Sequence, residues 1–183
     1  GRVEAGGGGM IRDHLVPPES VSGRLRAAAE RHGWLHDFAR TWADARASSL
    51  TATWEGRSDD FVHSFELPDD TYPSLLRHLQ AEGLSFTREA RAAFGLSPAP
   101  IGEAAADTTQ RRNGTPVTLQ EVQSERLVLE TLVKSYVGRR LFGTAIWYRI
   151  RNRVDPTVTK ARQMWPEAQT LAVRYPVVAP SAP

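Results

Sequence analysis

Four glycines in a row, Gly6 to Gly9, are the first residues whose type and spacing could do chemistry. A glycine loop can cradle a phosphate in its backbone N–H groups. A Walker-type loop needs a Lys followed by Ser or Thr soon after, and no such pair follows here. A dinucleotide fingerprint needs a helix directly behind the glycines, whereas MIRDHLVPP reads as extended. The run therefore reads as a turn, or as a loop that crosses close to another backbone. His32 and His36 stand four apart, a spacing that can put two imidazoles on one helix face toward a metal. Gly33 between them predicts a helix break, and beyond nearby Asp37 no third ligand has suitable spacing. The expectation is solvated or capping histidines. His63 and His78 stand alone and read as surface or boundary residues.

Nucleophilic chemistry fares no better. A Ser–Lys dyad needs the two side chains within hydrogen-bond reach. Lys134 and Ser135 are sequence neighbours on a helix, so they point about 100° apart and cannot pair. Lys160 has no Ser three or four residues away, which leaves only a partner brought in by tertiary folding. Residues 131–154 hold Lys134, Arg139, Arg140, Arg149, Arg151 and Arg153 with no acidic residue, interleaved with Tyr136, Phe142, Trp147 and Tyr148. That is the composition of a nucleic-acid footprint. It is also that of an amphipathic helix whose aromatics pack while its arginines are solvated or pair with acids of other segments. The apolar stripe already uses most of the aromatics, so the second reading stands first, and an anionic partner such as nucleic acid is the alternative. No catalytic, cofactor-binding or metal-ligating residue is assigned, and no cofactor is expected. The chain has no cysteine, which excludes disulfides, thiolate metal sites and a Cys nucleophile.

The elements that would position these residues are mostly helices. Ser20 reads as an N-cap for a helix through Val21, Leu25, Ala28 and Ala29 that stops at Gly33. Leu35, Phe38, Ala39 and Trp42 make the apolar face of a second helix. Ser58 caps a short helix with Phe61, Val62 and Phe65. Asp69 or Asp70 caps a helix that buries Tyr72, Leu75, Leu76 and Leu79 and ends at Gly83, with Pro73 tolerated in its first turn. Leu84 to Phe86 is a short extended link, and Thr87 caps a helix through Ala90 and Phe94. Thr118 and Glu121 match a capping box. The stripe behind them runs Val122, Leu129, Leu132, Val133, Tyr136, Val137 and Leu141, with Glu130 and Lys134 as an i,i+4 pair. This helix is expected to continue past Gly138 and Gly143 toward Asn152, bending at a glycine. Asp155-Pro156 restarts a closing helix with Val158, Ala161 and Trp165 facing inward, and Pro166 breaks or kinks it. The fold class is mainly α.

The bulk numbers agree with a soluble fold and choose little else. Hydrophobic residues make up 40% and charged residues 24%, enough for a core. No apolar run approaches the roughly 18 residues of a membrane span. A net charge of +2 is too small to imply a polyanion partner by itself.

Several stretches, taken in order, carry a family resemblance. GRVEAGGGGMIRD (Gly1 to Asp13) resembles the segment near the end of the catalytic domain in the carboxyl-terminal processing (tail-specific) serine peptidases. The family form is Gly-Arg, a short run, three or four glycines, an aliphatic residue and Pro-Asp. The family then has a Pro-containing extended piece, a helix, and a glycine turn into a Phe-Ala helix, matched by Val16-Pro17-Pro18, the helix through Leu25, and GWLHDFARTWAD. FVHSFELPDD resembles its next element, GLSF its short link, and LVKSYVGRRLFGTAIWYRIRNRVDP with TVTKARQMW its closing helices. The likeness covers about residues 1–14 and 20–170. Arg12 stands where the family usually has Pro, Glu4-Ala5 replaces a usual aromatic, and residues 95–116 have no counterpart.

The family's catalytic Ser and Lys, and its PDZ-like substrate domain, lie upstream of the glycine motif. The resemblance therefore places them before Gly1 and assigns no catalytic residue to this chain. It implies a helical C-terminal extension with a short extended N-terminal segment left from a protease core. The divisions expected are residues 1–16 (the extended, Gly-rich end of the core), 17–94 (a helical subdomain), 95–116 (a flexible loop or linker), 117–173 (the long and closing helices) and 174–183 (a frayed tail). The implied partners are the protease core of the same polypeptide or complex and protein substrates with accessible C-termini, with a homo-oligomer also allowed. The implied setting is the periplasm or cell envelope. The chain alone is expected to be inactive.

Overall fold

Leu35, Phe38, Ala39 and Trp42 recur at helical steps, and the helix they predict forms with all four buried. A computed structural model of the chain describes residues 23–98 and 115–174, the side chains of 171–174 excepted. Among these residues the order is α1 (Arg24–Arg31), α2 (Trp34–Asp44), α3 (Ala47–Trp54), α4 (Ser58–Ser64), α5 (Thr71–Ala81), α6 (Arg88–Phe94), α7 (Leu119–Phe142), α8 (Thr144–Arg151) and α9 (Pro156–Arg174). A parallel β-bridge joins Phe86 to Val117. The protein is mainly α. The glycine run, Ser20, Val21, most of the 95–116 segment and the tail from 175 lie outside the described residues.

The organising element is α7, which packs against α1, α2, α4, α6 and α8. Its stripe residues Val122, Leu129, Leu132, Val133 and Val137 are buried, while Tyr136 and Leu141 are half-buried against the core. The capping box forms in full: the Thr118 hydroxyl accepts from Glu121 N, and the Glu121 carboxylate accepts from Thr118 N. α5 contributes Tyr72, Leu75, Leu76 and Leu79, and the Tyr72 hydroxyl donates to the Val122 carbonyl. The Phe61 and Phe65 rings stack with centroids 4.4 Å apart, and Trp54 meets both edge-on. Burying side chains of this size contributes about 1.5–3 kcal/mol each. Gly138 lets α8 fold back onto α7. A Cβ there would lie 3.0 Å from Ile146 and 3.1 Å from Ile150 and Phe61.

Several expectations are corrected. The long helix does not bend toward Asn152. It ends at Phe142, because Gly143 takes φ 88, a conformation open to glycine and costly for other residues. The chain then reverses into α8, which buries Ile146 and Ile150. α3 was not expected: ASSLTATW buries only Leu50 fully, so its sequence carries little helical periodicity. Ser58 is the first residue of α4 rather than its cap, and Asp70 occupies the N-cap position of α5 without a side-chain hydrogen bond. Glu130 pairs with Arg126 at 2.9 Å instead of with Lys134. Asp155 caps α9 as expected, accepting from Thr157 N at 2.8 Å, and the helix passes through Pro166. Its face does not turn inward. Val158 is half-buried, Ala161 is exposed and Trp165 is 65% exposed.

Thr87 caps α6 by accepting from Ala90 N. The 95–116 segment is tied down at its described ends. Leu96 is buried, and Ser97 exchanges two hydrogen bonds with the Gln80 amide, at 3.0 and 3.1 Å. Val117 closes the far side by bridging to Phe86.

Candidate functional site

The most constructed polar region lies where the chain enters the helical body, between the start of α1 and the first turns of α7. A helix N-terminus leaves backbone N–H groups without intrahelical acceptors. In α1 these are met from a distance. The Glu125 carboxylate of α7 accepts from Arg26 N at 2.7 Å and from Leu25 N at 3.4 Å. Glu125 is buried, and burial raises its carboxyl above the usual range despite those donors. Gly23 is required beside it, since a Cβ there would lie 2.0 Å from Glu125 Oε1. One turn earlier, Arg24 grips Glu121 through two nitrogens at 2.7 and 2.9 Å and also reaches the carbonyls of Thr115 and Pro116. The Arg24 hydrogen bond is the largest influence holding the Glu121 carboxyl down to about 2. Two carboxylates one turn apart thus clamp α1, one capping its backbone and one holding its first side chain.

Glu125 was not singled out in the sequence. A signal existed: it occupies the apolar phase of α7, three residues after Val122 and four before Leu129. An acid at a core position asks for buried donors, but which donors are present depends on a helix 99 residues away.

The residues that were singled out go elsewhere. Gly33, at φ 76, separates His32 from His36 as expected. His32 stacks on Trp34 at 4.6 Å, while His36 meets Tyr136 edge-on at 5.5 Å and lies 3.5 Å from Asp37. Among the described residues no group of three His, Cys, Asp or Glu is placed to hold a metal ion. His63 lies 3.4 Å from Arg153, and His78 packs against Phe38. Ser135 is buried and donates to the Leu132 carbonyl at 2.6 Å. Lys134 turns the other way and donates to the carbonyls of Phe65 at 2.6 Å and Val62 at 3.1 Å, over the rings of Phe61 and Phe65. Partial burial is the main reason its ammonium titrates below the usual lysine range, with Arg153 adding to the effect. The two residues do not form a dyad. Lys160 is exposed on α9.

The basic stripe is largely spent inside the chain. Arg149 pairs with Asp59 at 2.6 Å, Arg151 with Glu30 at 2.9 Å, and Arg140 more loosely with Asp44 at 3.4 Å. Arg153 donates to the Val62 carbonyl at 3.0 Å. Glu30 also holds Arg26 at 2.9 Å, so one carboxylate bridges α1 and α8. Trp147 packs near Tyr136 and Tyr148, under the guanidiniums of Arg139 and Arg151. The acids missing from residues 131–154 are supplied by α1, α2 and α4.

Among the described helices none is long and apolar enough to cross a membrane. Compared with protein-family models, with curated proteins and with solved structures, the chain matches none.

Proposed function

We propose that this chain is the non-catalytic, helical C-terminal part of a tail-specific serine endopeptidase, whose Ser–Lys dyad lies upstream of Gly1. Its work is to pack on the protease core, to assist assembly, or to limit substrate access. The observation that supports this reading is that the segments carrying the resemblance fold together. GWLHDFARTWAD forms α2, FVHSFELPDD leads through α4 toward α5, and the stretch from Leu132 to Pro156 forms the last three turns of α7, then α8 and the start of α9. They share one core that includes Leu35, Phe61, Leu132 and Ile150. The clamp on α1 fixes the point at which the preceding chain joins that core. The periplasm or envelope is the setting this reading proposes. Binding of nucleic acid through residues 134–153 has less support, because most cations of that stretch already hold an acid or a carbonyl.

The coding region upstream of Gly1 tests the proposal. A Ser followed some tens of residues later by a Lys, in strand and helix context, is expected. A reading frame without such a pair refutes it. The purified chain is expected neither to cleave a peptide with an unstructured C-terminus nor to be labelled by a serine-directed reagent.

A further inference from the structure

A pocket of about 280 Å³ opens between α2 and α7, lined among the described residues by His36 and Arg40 on one helix and Tyr136, Arg139 and Arg140 on the other. We infer that it binds a phosphate group, carried either by a small soluble phosphate ester or by a lipid headgroup. The charge count is the first reason. Three guanidiniums, ionised at any working pH, line one small space. The acids beside them are few: Asp44 lies 3.4 Å from Arg140 and Asp37 lies 3.5 Å from His36. Among the described residues Arg40 and Arg139 have no carboxylate partner, although Arg139 lies over the Trp147 ring at 5.8 Å.

The contrast within the same basic stripe is the second reason. Arg149 and Arg151, outside the pocket, hold carboxylates at 2.6 and 2.9 Å. At the pocket the one pair is longer and two cations remain over. Like charges held together repel, and an anion between them turns that cost into attraction. Planar guanidiniums bind phosphate through paired N–H donors. Two uncommitted guanidiniums match the charge of about −1.5 to −2 on a phosphate monoester better than that of a single carboxylate. The Tyr136 ring is held in place by His36 at 5.5 Å, so the phenol sits on the pocket wall as a further polar group. The pocket is set by the packing of α2 on α7 and does not depend on the peptidase reading.

Titration of the intact chain with inorganic phosphate, read by calorimetry or by backbone NMR shifts, tests the inference. Saturable binding with shifts confined to α2 and α7 is expected. Arg40→Gln with Arg139→Gln is expected to weaken it by about tenfold or more. Arg149→Gln, in the same stripe but outside the pocket, leaves it unchanged. All three positions are exposed, and circular dichroism checks that the fold persists. Phosphatidylcholine vesicles with and without phosphatidic acid separate the two sources. Recruitment only with phosphatidic acid, lost in the double variant, assigns the group to a lipid. Saturable phosphate binding without recruitment assigns it to a soluble ester. Absence of both saturable phosphate binding and recruitment overturns the inference, as does binding that the double variant leaves intact.

Discussion

Replacing Gly23 with alanine drives a new Cβ into the Glu125 carboxylate. The ideal Cβ position is 2.0 Å from Oε1, 2.1 Å from Cδ and 2.6 Å from Oε2. Relief requires the carboxylate to move by about 1 Å or more, which takes the 2.7 Å bond from Arg26 N out of hydrogen-bond range. The cost is the loss of a helix cap, about 0.5–2 kcal/mol, with a buried donor left unmet. Glu125→Ala removes the same acceptor and costs about as much, reduced because its burial already disfavours the charged form. Each single variant is therefore expected to lose about 1–2 kcal/mol, or roughly 2–8 °C in Tm for a chain of this size. The informative measurement is the double variant. The three atoms nearest the new methyl all belong to the Glu125 carboxylate, so with it gone Gly23→Ala with Glu125→Ala is expected to cost about as much as the worse single change. The coupling is about 1–2 kcal/mol and is read from urea unfolding followed by far-UV circular dichroism. Additive losses, within about 0.5 kcal/mol, would mean the two residues do not act through one contact, and the clamp would be wrong.

Three further outcomes follow from particular contacts. Glu121 has a folded-state carboxyl lowered to about 2, below its unfolded value, so its contribution is present above the unfolded value and is lost as pH falls through about 2. The stability gap between the wild-type chain and Glu121→Gln is expected to be under about 1 kcal/mol near neutrality, since Arg24 is half exposed, and to close in acid. A gap that widens in acid refutes the ion pair. Lys134→Met is expected to cost about 1 kcal/mol, because the Phe65 carbonyl loses its 2.6 Å donor while Val62 keeps Arg153. Adding Arg153→Met should cost more than the sum, and simple additivity in chemical denaturation counts against the shared carbonyl. Trp165→Ala is expected to change stability by less than about 0.5 kcal/mol, and Trp165 should be the tryptophan most open to acrylamide quenching. A large loss of stability on this substitution would show that α9 packs on the core after all.

Local chemistry in the sequence determined most of the helices. The capping box at Thr118 and Glu121, the Thr87 cap, the Asp155-Pro156 start and the stripes of α2, α5 and α7 all depend on residues within a few positions of each other. Such signals survive without knowledge of the rest of the fold. The same locality explains the failures. α3 has too few buried residues to show a period, and its Trp54 is placed by contacts with Phe61 and Phe65 further along the chain. Whether α7 would bend or reverse at Gly143 depended on Ile146 and Ile150 finding the flat face at Gly138. Trp165 carried an inward-facing spacing, but a spacing names a face without naming a cover.

The polar groups divide the same way. The sequence by itself determined that Lys134 and Ser135 point apart, that Gly33 separates two histidines, and that a stretch of cations had no acids of its own. Tertiary structure alone decided the partners, because Asp59, Glu30 and Asp44 reach those cations from other helices, and Glu125 reaches a helix start 99 residues away. The physical reason is range. Caps and periodicity act within a turn or two of helix, whereas a buried carboxylate or an uncommitted arginine is defined by what the whole fold brings beside it.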